Sequence, residues 1–516
     1  MSLLNLTRIG ALLCLTVALL ACNEDEFLDR TPADRFTPAT FYQNEQQIIE
    51  ATTTLYPLMR GLAVGAINDY GDYRSDNTTF QFDQSDRGRN GFERVDYFLL
   101  EAGDGFHNAF YNPPYVGISR ANYILDRVDD VDFSTEERRS QAAAEARFFR
   151  GYYHFLLVQH FGDIVPNTAV IEGDGSNLAA LRRQPFQQVY DNVIVPDLQF
   201  AIDNLPDSWD NNNVGRVTSA VAEMALAKAY FHVSDYPSAL PLLNSIINSG
   251  RYRLLENYRD VFFTEQFALD SDGETVTNPE ILWSAQFNAA AGQGSNFQVD
   301  WIPQSGTDIT MGLDRARAGF NIPTCSLLDA YEDGDRRFDV TIGFYDSDER
   351  DPDNEVVPYS TKFLQLPFPQ DGGVNIDYPI FRYADVLLMQ AEALVETGQD
   401  VLGQPLVTIN DLRRRAGLLP YNNPRNPVLT VSNADEMREL IRRERRVELA
   451  YEGHRSYDLR RYGIYEETMM AHGEVQKVKQ SFLNNLPEAY TNIRALLAIP
   501  QGQIDLYGYR QNPGWE

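Results

Sequence analysis

The segment from Thr218 to Gly250, TSAVAEMALAKAYFHVSDYPSALPLLNSIINSG, limits the fold more than any other part of the chain. Leu226, Ala227, Tyr230, Tyr236 and Ala239 set large, small and aromatic side chains at helical spacing on both sides of a turn. The small residues let two antiparallel helices approach closely, and Gly250 ends the second. One such hairpin cannot bury its own faces, so partners must lie elsewhere in the sequence. Helical periodicity recurs over Glu45 to Met59, Pro114 to Val128, Thr135 to Phe161, Phe186 to Asn204, Ile380 to Thr397, Leu406 to Ala416 and Ala434 to Tyr451. These segments are scattered, not in tandem. Between them lie two long stretches poor in helical periodicity, Gly61 to Phe110 and Phe262 to Ile322, followed by the acidic loop Asp346 to Glu355. Loops of that length are usually functional or carry short elements of their own.

The residue order in the hairpin is that of a tetratricopeptide unit. The expected fold is therefore mainly α, a tetratricopeptide-like helical-hairpin scaffold with long, loop-rich insertions. Trp283, in an apolar strand-like run, reads as core.

The N-terminus reads as an export signal. Met1 to Arg8 carry one positive charge, and Ile9 to Leu20 are apolar or small apart from Thr16. At 1.5 Å per residue that run makes a helix of about 18 Å, short of the roughly 30 Å hydrocarbon core. It ends Leu19-Leu20-Ala21-Cys22, a small residue before a cysteine, which resembles the bacterial lipobox. Residues 1–21 are then the signal peptide, Cys22 the acylated first mature residue, and several acyl chains would hold the protein more firmly than one. The following Asn23-Glu24-Asp25-Glu26 looks like an acidic export tag to the outer face of an outer membrane; a plain solvated linker is the bland alternative. No later segment is apolar enough to span a membrane, so 22–516 is expected to form one body on a tether. Its parts are a tether at 22–35, an N-terminal helical scaffold at 36–260 with its insertion at 61–110, a loop-rich region at 262–378, and a C-terminal helical part with a tail at 379–516.

Composition narrows the partners. Cys14, Cys22 and Cys325 are the only cysteines, so with the first removed and the second acylated no intramolecular disulfide is available. The formal charge of −30 becomes −31 once Arg8 leaves with the signal. That sign disfavours nucleic acid and anionic headgroups as partners. The aromatic content of 12% supplies a large core or stacking platforms.

Eight separate blocks then agree, in order, with one family. Phe27-Leu28-Asp29 with Pro32 is followed by EARFFRGYYHFLLVQHFGDIVP at 145–166, NPEILWSAQF at 278–287 and LLDAYEDGDRRF at 327–338. PIFRYADVLLMQAEAL at 379–394, INDLRRRAGL at 409–418, RRERRVELAYEGHRSYDLRRYG at 442–463 and LLAIPQGQIDLYGYRQNPGW at 496–515 complete the set. The chain resembles the SusD-like (SusD/RagB) outer-membrane nutrient-binding lipoproteins. It departs at Ser456-Tyr457-Asp458, where relatives commonly carry an aromatic at the first position. The resemblance implies a non-catalytic, cell-surface glycan-binding protein, lipid-anchored in the outer membrane, that delivers oligosaccharide to a SusC-like TonB-dependent transporter. Peptide capture on the same scaffold and a surface glycosidase are the rival readings.

The residues offer little for catalysis. Glu444, Arg445, Arg446, Glu448, Glu452, Arg455, Asp458, Arg460 and Arg461 supply carboxylates, but Glu444 falls within the apolar stripe of Leu440, Val447 and Tyr451. A carboxylate there is buried and needs a cation, which a structural ion network satisfies. The same reading covers Arg382, Asp385 and Glu392. No metalloprotease histidine pair, nucleophile elbow or phosphate-binding glycine loop is present. In the acidic loop, Asp351 stands where a calcium hand needs glycine and Val357 where it needs its terminal Glu. No cofactor and no metal are expected, although the sequence leaves a structural calcium open. Sugar binding needs flat aromatic faces beside short polar groups. In relatives the ligand face lies on the insertions, which implies Tyr73, Asp76, Asn77 and Trp301 as ligand-binding residues.

Overall fold

The computed structural model describes residues 41–81, 90–171, 181–210, 212–263, 267–269, 275–295, 297–304, 309, 319–346, 356–365 and 373–516. The signal peptide, Cys22, the acidic tag and the loop 347–355 lie outside the described residues.

The helical scaffold begins with α1 (Glu45–Thr53), α2 (Phe106–Arg127), α3 (Glu136–Phe161) and α4 (Val195–Asn204). The hairpin that the sequence singles out is α5 (Ser219–His232) and α6 (Tyr236–Asn248). After the second insertion come α7 (Tyr383–Glu396), α8 (Gln404–Arg415), α9 (Ala434–Glu448), α10 (Arg455–Arg461) and α11 (Tyr465–Lys479). Start signals are local: Asn44, Thr135, Asp235 and Asn433 each accept a hydrogen bond from a backbone amide of the first turn through their side chains. Consecutive helices pack in series, α2 on α3, α3 on α4, α4 on α5, α5 on α6, α6 on α7, and α7 on both α8 and α9. The scattered segments thus join into one stack, with α6 meeting α7 across the whole insertion region. Within α3, nearly every side chain from Phe148 to Phe161 is buried, as expected of a helix surrounded on all sides.

Two readings change. The periodic segment Ile380 to Thr397 begins as a strand, because Tyr378–Arg382 is buried at every position and a short apolar run does not distinguish strand from helix. Helix α11 was not foreseen: its buried face is Tyr465, Met469, His472, Gly473 and Gln476, so polar and small residues hide the period.

The strands are short. β1 (Thr78–Thr79) pairs antiparallel with β3 (Ile322–Pro323), β2 (Ile281–Ala285) with β6 (Tyr378–Arg382), and β4 (Ile342–Asp346) with β5 (Val356–Ser360). Trp283 of β2 is core, as expected, packed edge-on against Phe148 and Tyr152 of α3. The first insertion carries elements of its own: wide, π-helical turns at Leu62–Ile67 and Asp69–Tyr73, and a helix at Asn90–Asp96.

One close approach joins that insertion to the C-terminal motif. A Cβ on Gly71 would lie 2.1 Å from the carbonyl oxygen of Gly453, and Gly453 itself has φ of 72°. Asp72 accepts a hydrogen bond from the Gly453 amide at 3.0 Å. Both glycines are therefore required by contact of two backbones. Gly71→Ala is expected to destabilise by about 2 kcal/mol or more, while Gly65→Ala, with open space around its Cβ position, serves as the control. Thermal unfolding of the two variants checks this, and equal melting temperatures would contradict it.

Candidate functional site

The carboxylates of the C-terminal motif are committed to structure. Glu448 accepts from Arg415 at 2.5 Å, from Arg382 at 2.8 Å and from Arg337 at 3.0 Å. Glu444 takes Arg337 at 2.6 Å, and Glu452 takes both Arg382 and Lys362 at 2.6 Å. Glu280 completes the set, bridging Arg382 and Arg415. All are buried. Against the penalty of burial, the Arg415, Arg382 and Arg337 charges hold Glu448 well below the usual carboxylate range. Burial pushes the Lys362 ammonium down to about 8. A second group links Asp385 to Lys228 at 2.6 Å and Arg445 at 2.8 Å, and Arg445 to Asp458 at 3.1 Å. Each of these carboxylates already faces a cation.

The two insertions, by contrast, build a face. β1 and β3 pair Thr78 with Pro323 and Thr79 with Ile322. The contact continues past the strands, where the Gln81 amide donates to the Gly319 carbonyl at 2.9 Å and the Gln304 amide donates to Gln81 Oε1 at 2.9 Å. Beneath it, Asn321 donates to Asn68 at 2.8 Å and accepts from Thr78 at 2.9 Å. Phe320 lies 4.3 Å from the ring of Phe92 and 5.4 Å from that of Phe80. Segments far apart in sequence thus share one floor of amides and aromatic rings. Residues 82–89 and 305–318, which follow Gln81 and Gln304 in sequence, are outside the described residues apart from Ile309.

The four expected ligand residues are buried beside these contacts. Tyr73 is fully buried, with its ring edge-on to Phe320 at 5.9 Å. Asp76 is gripped by Arg455 at 2.7 Å and Arg446 at 3.0 Å, and these charges hold its carboxyl well below the usual range although burial opposes them. Asn77 accepts from Arg446 at 2.8 Å. Trp301 is 3% exposed, enclosed by Phe297, Phe363 and Tyr451. As placed, neither ring offers an accessible face, and the two polar groups are occupied. The physical reason is that aromatic residues in long loops anchor the loops, and the motif arginines need acceptors. Asp76 borders a groove of about 470 Å³ shared with Ser326, Glu467, Val475 and Lys479. The sequence held no marker for Gln81, Asn321 or Phe320, whose parts depend on the pairing of distant strands.

The comparisons agree with this architecture. Residues 26–231 match a family described as starch-binding and associating with the outer membrane, and residues 279–515 match the SusD family. The chain belongs to the SusD/RagB family. A SusD-like protein, P2, of Formosa agariphila is 25% identical over 89% of this chain and 91% of its own length. The starch-binding protein SusD of Bacteroides thetaiotaomicron is 23% identical over 67% of this chain and 68% of its own. Among solved structures, a laminarin-binding SusD-like protein superposes with a TM-score of 0.73 at 24% identity, over 92% of this chain and all of that one. The mainly α SusD-like fold expected from the sequence is the one observed.

The floor has a titratable support. Asp96 accepts from Thr79 at 2.7 Å, the Phe80 amide at 2.9 Å and Tyr490 at 3.1 Å, yet burial pushes its carboxyl up to about 7. A folded value above the unfolded one of about 3.9 gives stability that is complete below about pH 4 and is lost as pH rises through about 7. Asp96→Asn lacks this loss. The stability of the variant relative to wild type is therefore expected to rise by on the order of 4 kcal/mol between pH 4 and pH 8. Urea unfolding at both pH values measures it, and a constant difference would show that the carboxyl does not titrate in that window.

Proposed function

We propose that this protein is a non-catalytic, lipid-anchored surface protein that captures an oligosaccharide and hands it to a SusC-like TonB-dependent transporter. The observation that carries the reading is the meeting of the two insertions on one floor, held from below by buried ion pairs. A rigid base under loop segments is how binding proteins place variable contacts on a fixed scaffold. Family membership and the laminarin-binding neighbour supply the ligand class. Tyr73, Asp76, Asn77 and Trp301 then serve the ligand from below, by fixing the floor.

Bond cleavage finds no support in the ion-paired C-terminal motif. A glycosidase needs two carboxylates about 5 to 10 Å apart flanking an open cleft, whereas the carboxylates clustered in the C-terminal motif are buried and paired with cations. Calorimetric titration with laminarin and starch oligosaccharides, run beside product analysis of the same mixtures, is expected to give binding heat and unchanged glycans. Turnover of any glycan overturns the reading, and heat with peptides alone replaces it with peptide capture.

The tether at Cys22 belongs to the mechanism, because confinement beside a pore raises the effective concentration of captured ligand there. Cys22→Ala is expected to release the protein from the cell surface, measured by fractionation and surface labelling. Retention of the variant at the surface would remove the lipid anchor from the proposal.

A further inference from the structure

A larger cavity, of about 810 Å³, opens between α3, α5, β6 and α10, with α11 at its mouth. Its size is that of a small-ligand site. None of Gln81, Gln304, Gly319 or Phe320 lines it, so it is separate from the insertion face. Phe155, Phe231 and Phe381 form an apolar wall. Met470, Glu466 and Glu467 stand exposed at the rim.

The cations around this cavity are not alike. Lys228 and Arg445 are paired with Asp385, and Arg461 with Asp458 and Glu392. Among the described residues, half-buried Arg460 has no carboxylate at ion-pair distance. Its contacts are the hydroxyl of Tyr70 at 3.4 Å and the Tyr70 ring at 5.7 Å. The chain has 74 acidic side chains for 44 Lys and Arg, so an unpaired guanidinium does not arise from a shortage of acids. Beside it, Gln159, His232 and His454 line the cavity, and their side chains make no hydrogen bond among the described residues. Burial holds both imidazoles down to about 4, so they are neutral and each can donate and accept.

We propose that this cavity is a second binding site, for the uronic-acid unit of an acidic saccharide. Arg460 takes the carboxylate in a charge-assisted pair, and the amide and imidazoles meet the hydroxyls. The net charge of −30 does not forbid this, because its long-range repulsion is screened beyond about 8 Å at physiological salt. The proposal stands independently of what the insertion face binds.

The test uses the full chain in detergent, titrated calorimetrically with trigalacturonate, its methyl ester and benzoate. The acid is expected to bind at least ten-fold more tightly than the ester, and benzoate weakly. In Arg460→Gln the acid-to-ester ratio is expected to fall to near one with the melting temperature kept, and Arg460→Lys to restore part of it. Equal affinity for acid and ester in the wild-type protein overturns the proposal without any variant. So do absence of heat with the acid, an unchanged ratio in Arg460→Gln, or benzoate binding as tightly as the saccharide.

Discussion

Glu448 stands among three guanidinium groups, and the arrangement of the second half of the chain depends on that cluster. Arg337, Arg382, Arg415 and Lys362 face Glu280, Asp335, Glu444, Glu448 and Glu452, all of them nearly or wholly removed from water. Desolvating that many ions costs several kcal/mol each, which offsets much of the Coulomb gain. The cluster therefore does less for net stability than for arrangement. Its members come from β6, α8, α9, the residue before β2, the turn after α9 and the segments at Asp335 and Lys362. If any one of these is displaced, a buried charge is left unpaired, so the pieces must assemble together or not at all.

The motif at 442–463 distributes its charges by helical geometry. Successive residues on a helix point about 100° apart, so Glu444, Arg445 and Arg446 face three different neighbours. Glu444 meets Arg337 in the cluster, Arg445 meets Asp385 of the helical stack, and Arg446 meets Asp76 and Asn77 of the first insertion. Beyond the helix end, Tyr451 and Gly453 adopt positive φ, which lets Gly71 come into backbone contact. A single stretch of chain thus fixes the stack, the ion cluster and the base of the insertion face relative to one another. A change inside the cluster would be felt at the face through Arg446 and Arg455, both of which grip Asp76.

What the sequence made legible follows from where the information lies. The hairpin at Thr218 to Gly250 and the burial of Glu444 and Trp283 were readable because each rests on local periodicity. The family was readable from ordered blocks. The contacts of Tyr73, Asp76, Asn77 and Trp301 were not, because composition does not separate an aromatic that stacks on sugar from one that pins a loop. Asp76 could have been assigned only with knowledge that Arg446 and Arg455, some 370 residues on, face it. Helix α11 escaped because Gly473, packed against Tyr490, and His472 take places where a periodicity search expects apolar side chains.

The contact between the two insertions rests on a few amide groups. Gln81 and Gln304 are fixed by each other's backbone and amide groups, and Asn321 by Asn68 and Thr78. These bonds engage main chain and buried amides, which do not depend on what the neighbouring loop residues are. A change at Asn321 or Asp96 would therefore disturb both insertions at once.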